Sequence, residues 1–354
     1  MRFHGGDREA KIDFSSNTNP LGPPKELLSI LSNCIDLSVI ERYPDYQYTD
    51  LRKSIATFYS CIPENVVPTN GAAEAINLII LATKPKKLVV VEPSYGEYEE
   101  LAKVLGINYI SVYYRRTTYR FYIEFSDLKN FCEDKETLIV ITNPNNPTGS
   151  YTAVDAIFYE LGNCKAKVLI DEVYAELCTR CSIEVAKNIP ENFSIVRSLT
   201  KWLSIPGLRI GFIYSVNEEL LEKVDILRPP WNINSIAECV AVNLLKQKSV
   251  LMNFIKNSRK YIESERSRIS KALEELGFKV FESATNFLLV DLGFDGDKIV
   301  VDLKKKGIAV RSCKSFRGLG SNYIRIALRS VDENNELIKA LAEVTYNSKL
   351  QGDY

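Results

Sequence analysis

Three apolar runs in this chain end in polar groups that could share one task. Lys167-Val168-Leu169-Ile170 closes on Asp171, followed by Glu172-Val173-Tyr174. The run near 194–198 closes on Ser198-Leu199-Thr200-Lys201, with Arg209 eight residues on. Leu138-Ile139-Val140-Ile141-Thr142 enters Asn143-Pro144-Asn145-Asn146-Pro147-Thr148-Gly149, and Asn70-Gly71-Ala72-Ala73-Glu74 opens a helical pattern. An amine at a strand end, Lys201, can condense with an aldehyde. A carboxylate, Asp171, can keep a proton on a heterocyclic nitrogen. A phosphate dianion needs backbone N–H groups at a helix start plus a cation and a hydroxyl, which Gly71, Ala72 and Ala73, Arg209 and Ser198 can supply. Tyr174 and Asn146 can hydrogen-bond a ring hydroxyl, and Tyr95, after Glu92-Pro93-Ser94, can stack on a ring face. Those demands meet in pyridoxal 5'-phosphate. Taken singly, each residue has another reading: Lys201 as a solvated surface group, Asp171 as a helix cap, Asn146-Pro147-Thr148-Gly149 as a turn, Tyr95 as core. Their order along one chain selects the cofactor.

Groups of this kind belong at the carboxyl ends of strands in an open α/β sheet. Leu88-Val89-Val90-Val91-Glu92, 138–142, 167–171 and 210–214 are continuous apolar runs of the sort buried on both faces. Helical patterns at 74–82 and 97–105 alternate with them, which predicts a mostly parallel sheet between helices. The chain divides into an irregular arm over 1–30, a large cofactor-binding domain over 31–245 and a small α+β domain over 246–354. Asn17, Asn19, Pro20, Gly22, Pro23 and Pro24 break any period in the arm.

The chain has 354 residues with 45 basic and 45 acidic side chains, a balance that lacks the footprint of nucleic-acid binding. No apolar run approaches the ~20 residues that span a bilayer, and the first residues do not read as a signal peptide. A cytoplasmic protein is expected. The one histidine disfavours zinc hydrolases and Ser-His-Asp machinery, and no metal site is expected. Eight cysteines are sparse for a disulfide scaffold, and most read as small buried hydrophobes. Cys178-Thr179-Arg180-Cys181, a lone C-x-x-C, reads as two unrelated thiols.

Nearly end to end, the sequence resembles the fold-type I pyridoxal-phosphate aminotransferase superfamily. Asn146-Pro147-Thr148-Gly149, Asp171-x-x-Tyr174 and Ser198-x-x-Lys201 with Arg209 carry the resemblance. It implies an α/β large domain with a mostly parallel seven-stranded sheet and a homodimer with shared sites. In that dimer Tyr43, from Glu41-Arg42-Tyr43-Pro44-Asp45, would reach the partner subunit's cofactor phosphate. Two branches fit, both acting on phosphorylated substrates: histidinol-phosphate aminotransferases and L-threonine-O-3-phosphate decarboxylases. The second is the nearer likeness in His4-Gly5-Gly6-Asp7 with 13–22, in 197–209, in Pro230-Trp231-Asn232-Ile233-Asn234 and in Val310-Arg311-Ser312-Cys313 with Phe316-Arg317-Gly318-Leu319 and 323–329. By resemblance Arg325 and Asn146 would hold a substrate carboxylate, and Arg311, Asn17 and His4 a substrate phosphate. Tyr174 is the residue usual in the aminotransferases, so transamination stays open. A non-catalytic regulator would carry a DNA-binding domain ahead of these signatures, which begin within the first 75 residues.

Overall fold

A computed structural model describes residues 5–186 and 188–350. Its centre is a seven-stranded sheet. In spatial order the strands are Val66–Thr69, Gly211–Tyr214, Phe193–Ser198, Lys167–Asp171, Thr137–Thr142, Lys87–Glu92 and Asn108–Tyr113. Gly211–Tyr214 runs antiparallel to both neighbours and the other pairings are parallel. The apolar runs read from the sequence are its buried inner strands. Because strand side chains alternate between faces, Val89, Val91, Ile139 and Ile141 join one hydrophobic cluster and Leu88, Val90, Leu138 and Val140 another.

After the 28-residue helix Lys248–Glu275 comes a four-stranded antiparallel sheet, ordered Lys279–Val280, Phe287–Asp291, Tyr323–Ala327, Arg311–Ser312. The arm is more ordered than its sequence suggests. Ile12–Asp13 is a short strand parallel to Ile308–Ala309, and a helix starts at Leu27. Ala327 N–H donates to the Phe14 carbonyl at 2.9 Å, and Asn286 Nδ2 to the Thr18 carbonyl at 2.8 Å. A two-residue strand is too short to show a period, so its partner, not its pattern, makes it.

The reading of the cysteines as unpaired thiols is overturned. Three disulfides form, Cys34–Cys239, Cys132–Cys164 and Cys178–Cys181, leaving Cys61 and Cys313 free. The first joins residues 205 apart in sequence, where Leu27–Cys34 packs on Ser235–Leu245, so spacing alone could not reveal it. Among the described residues, no helix is long and apolar enough to cross a membrane.

Candidate active site

A cavity of about 250 Å³ opens at the carboxyl ends of the parallel strands. Lys201, Asp171, Ser198, Arg209, Ala72, Ala73, Tyr95, Asn146, Tyr174, Asn17 and Arg325 all line it. Residues from the arm, both sheets and two helix starts thus meet in one place.

At its floor the Asp171 carboxyl, 4% exposed, accepts from Tyr98 Oη at 2.6 Å and from Val173 N–H at 3.2 Å. Burial pushes its pKa up to about 6 despite both bonds, and among the described residues no cation pairs with it. Tyr98 sits one turn after Tyr95 in Glu97–Leu105, with its hydroxyl also 3.3 Å from Thr142 Oγ1. The Tyr95 and Tyr98 rings meet edge-on, with centroids 5.8 Å apart.

Lys201 stands in the short helix Leu199–Trp202, whose start is capped by Ser198: its Oγ accepts from Thr200 N–H at 3.3 Å and lies 2.7 Å from Thr200 Oγ1. The arm is tied to this turn, since Asn19 N–H donates to the Lys201 carbonyl at 2.9 Å. Gly71 does not line the cavity but opens the helix Gly71–Thr83 at φ +77°, and a Cβ there would stand 2.7 Å from Arg209 Nη2. The Arg209 guanidinium therefore lies against the N–H end of that helix. Gly211 allows the close approach beneath it, where a Cβ would stand 2.8 Å from Ala72 N. Arginine beside the free N–H groups of a 13-residue helix is a cradle for a phosphate.

On the opposite wall Arg325, 5% exposed, donates to Asn146 Oδ1 and, through Nη2, to the Ser15 carbonyl at 2.5 Å. Asn17 donates through Nδ2 to Tyr174 Oη at 3.3 Å, while its buried Oδ1 has no hydrogen-bond partner. Arg311 lies outside the lining but directly opposite Arg325 across the antiparallel pair. Cross-strand partners project from one face. Burial lowers the pKa of both guanidiniums, and their mutual repulsion lowers that of Arg311 further. Tyr43 does not line this cavity; it is 77% exposed and stacked on Trp231 at 4.3 Å. His4 lies outside the described residues. The sequence reading passed over Tyr98, Thr142 and Thr200; Tyr98 stands in the first turn of the helix, three residues after Tyr95.

The sequence model for aminotransferase class I and II matches residues 9–341. The chain belongs to that family. Pyridoxal 5'-phosphate is the cofactor of this fold, and the donor set fits it: a phosphate cradle at Gly71 and Arg209, an amine at Lys201, and a buried carboxyl awaiting a cation at Asp171. An adenosylcobalamin biosynthesis bifunctional protein, CobDQ, of Leptospira interrogans is 33% identical over 96% of the chain, which spans 39% of that protein's length. A Caldanaerobacter subterraneus protein, named provisionally as a threonine-phosphate decarboxylase, is 33% identical over 92% of this chain and 88% of its own. The crystal structure of histidinol-phosphate aminotransferase from Clostridium acetobutylicum superposes with a TM-score of 0.86 at 32% identity, covering 95% of this chain and 99% of the other. Both activities therefore stand among its relatives at similar identity.

Proposed function

We propose that the protein decarboxylates L-threonine O-3-phosphate to (R)-1-aminopropan-2-ol O-phosphate and CO₂, a step of cobalamin biosynthesis. The observation that carries this reading is the facing pair Arg311 and Arg325. Two guanidiniums on one face of a strand pair, Arg325 buried and Arg311 partly buried, suit two anions or one dianion. Phosphothreonine offers a carboxylate and a phosphate in one molecule; histidinol phosphate offers a phosphate alone, and the two carboxylates of the aminotransferase reaction come on glutamate. The names of the relatives from Leptospira and Caldanaerobacter support the same choice. Histidinol-phosphate aminotransferase is the second reading, favoured by Tyr174 and by the Clostridium structure.

In this reading Gly71, Ala72, Ala73, Ser198 and Arg209 hold the cofactor phosphate, and Tyr174 and Asn146 the ring hydroxyl. Tyr95 covers the ring face. Bound there, the cofactor withdraws the electron pair left at the substrate Cα when a bond to that carbon breaks. Asp171 holds a proton on the pyridine nitrogen; its lack of a cationic partner among the described residues supports that role. Arg325 with Asn146 grips the substrate carboxylate, and Arg311 with Asn17 and His4 the phosphate. This double grip orients the Cα–carboxylate bond for cleavage, and Lys201 returns a proton to Cα as CO₂ leaves. Binding energy at the remote phosphate is thereby used to aim the reacting bond. A misplacement of about 1 Å would cost on the order of 100-fold in rate.

We read the assembly as a homodimer, with Tyr43 completing the phosphate site of its partner. An exposed apolar strip supports this: Ile35, Leu37, Ile40 and Tyr43 are 58%, 70%, 55% and 77% exposed. Side chains of this kind, left in water together, mark a contact surface.

The test is to incubate the cofactor-loaded protein with L-threonine O-3-phosphate, without any 2-oxo acid, and follow CO₂. Steady multiple-turnover release is expected, because an aminotransferase without an acceptor stops after one half-reaction. Absence of CO₂, with glutamate formed from histidinol phosphate and 2-oxoglutarate no better than background, would overturn both readings; glutamate formation alone would select the second.

A further inference from the structure

Phe316-Arg317-Gly318-Leu319 lies in the loop between Arg311–Ser312 and Tyr323–Ala327, outside the cavity lining. Its side chains reach in two directions. Toward the site, the Arg311 guanidinium lies over the Phe316 ring, 5.3 Å from its centroid, and donates to Ser315 Oγ at 2.9 Å. Toward the large sheet, Arg317 engages both oxygens of Glu99, with Nε 2.7 Å from Oε2 and Nη2 on Oε1. The same guanidinium covers the Tyr109 ring at 5.3 Å. Gly318, at φ +79°, lies on Tyr113, where a Cβ would stand 2.9 Å from the ring. Tyr109 and Tyr113 belong to the edge strand Asn108–Tyr113, and Glu99 to the helix Glu97–Leu105. Glu99 is the residue after Tyr98, so one helix turn presents a hydroxyl to Asp171 and a carboxylate to the loop.

We propose that Arg317 is a positioning residue for substrate binding. By clamping the 313–320 loop to Glu99 and Tyr109, it holds Phe316 under the Arg311 guanidinium and sets where the second substrate anion is gripped. The proposal rests on Arg311 being a substrate contact. An isolated exposed ion pair is worth little, but a two-point arginine–carboxylate contact fixes direction as well as distance, and the Tyr109 ring braces it. Arg317 and Glu99 are 218 residues apart in sequence, so the clamp ties the small sheet's loop to the edge of the large one. Since it touches neither cofactor nor reacting atoms, and the Arg325–Asn146 grip and Arg311 itself remain to aim the reacting bond, its loss loosens phosphate binding in the ground state and the transition state alike. That signature is a raised KM at constant kcat.

The cofactor-loaded full chain is compared with Arg317→Ala, Glu99→Ala, the double variant and Arg317→Lys. With L-threonine O-3-phosphate, each single alanine variant raises KM about fivefold, the size of a well-formed pair of this kind, with kcat within twofold. The double variant is no worse than either single one, because both remove one interaction, and Arg317→Lys, lacking the fork, falls between. Amide hydrogen exchange over 313–320 speeds up in Arg317→Ala. An unchanged KM, a fall in kcat instead, or additive effects in the double variant would overturn the proposal. If the wild-type protein turns over neither phosphorylated substrate, the functional reading fails separately and the clamp is judged on exchange alone. Unchanged exchange over 313–320 in Arg317→Ala then overturns it.

Discussion

Asp171 and Glu172 are consecutive residues at one strand end, 4% and 3% exposed, yet they face opposite sides and meet different company. Glu172 Oε2 receives Arg197 Nη2 at 2.8 Å and Nε at 2.9 Å, and Glu176 Oε1 lies 3.6 Å from Arg197 Nη1. Arg197 also lies over the Tyr59 ring at 5.3 Å and donates to the Ile183 carbonyl at 2.5 Å. Burial alone would lower its pKa; the two carboxylates outweigh that and hold it above the ordinary value. The Glu172 charge is thus matched within the chain. Asp171 has only a phenol and an amide N–H, and its pKa rises to about 6. Among the described residues Asp171 is a buried carboxyl without a counter-charge, and it lies at the cavity floor. A buried charge without a partner is costly, and such cost is commonly retained where a ligand will repay it.

The contrast breaks most visibly in Asp171→Asn. Loss of the carboxylate should lower kcat of the loaded enzyme by roughly 1,000-fold, on the order of 4 kcal/mol, while the cofactor-free protein becomes more stable. The sign follows from linkage: the folded pKa of about 6 stands above the ordinary 3.8. Stability from the protonated group is therefore full below about pH 4 and lost as pH rises through 6. The variant does not titrate there. Its advantage over wild type should grow from pH 4 to 6 and level off on the order of 3 kcal/mol, read from denaturant midpoints of the cofactor-free proteins. Equal stabilities across that range would show that Asp171 already has a partner in the chain.

Glu172→Gln should do the reverse. Removing one member of a buried pair strands the other charge, at a cost of roughly 3 kcal/mol. Glu176 remains near Arg197 and keeps the loss at the low end of that range. Denaturation midpoints should fall while kcat of the folded fraction stays within a few-fold. A kcat loss matching that of Asp171→Asn would erase the distinction between the two carboxyls.

Much of this arrangement was legible in the chain because it is local. Lys87–Glu92, Thr137–Thr142 and Lys167–Asp171 are buried on both faces and read as unbroken apolar runs. Ligand chemistry collects at their ends, so Asp171, Asn146, Ser198 and Lys201 stood out with them. Strands at the sheet edges were harder to see. Asn108–Tyr113 is only partly covered, and Val66–Thr69 contains Pro68, tolerable there because the strand lies at the edge. What was not legible depends on contacts between distant residues. Cys34 meets Cys239, Arg317 meets Glu99, and Glu172 finds Arg197 on the neighbouring strand. Tyr98 was invisible for another reason: a buried helix tyrosine has the same sequence signature whether it fills a core or holds a carboxylate.

Tyr98→Phe sharpens the comparison at the smallest scale. The ring stays, and only the hydroxyl that donates to Asp171 Oδ2 at 2.6 Å is lost. A hydrogen bond to a charged group contributes about 1.5–3 kcal/mol, and here it favours the ionised carboxyl, since the bond to Tyr98 pulls the pKa down against burial. Without it the Asp171 pKa should rise, in the cofactor-free protein to about one unit above 6 at the lower end of that energy. In the loaded enzyme it should move in the same direction from wherever the pyridinium sets it. The acid limb of the pH–rate profile should therefore move to higher pH, with kcat at neutral pH down several-fold and partly recovered at pH 8. Loss of a merely structural contact would depress the rate equally at every pH. The shape of the profile, not its height, decides whether Tyr98 tunes the carboxyl or only packs beside it.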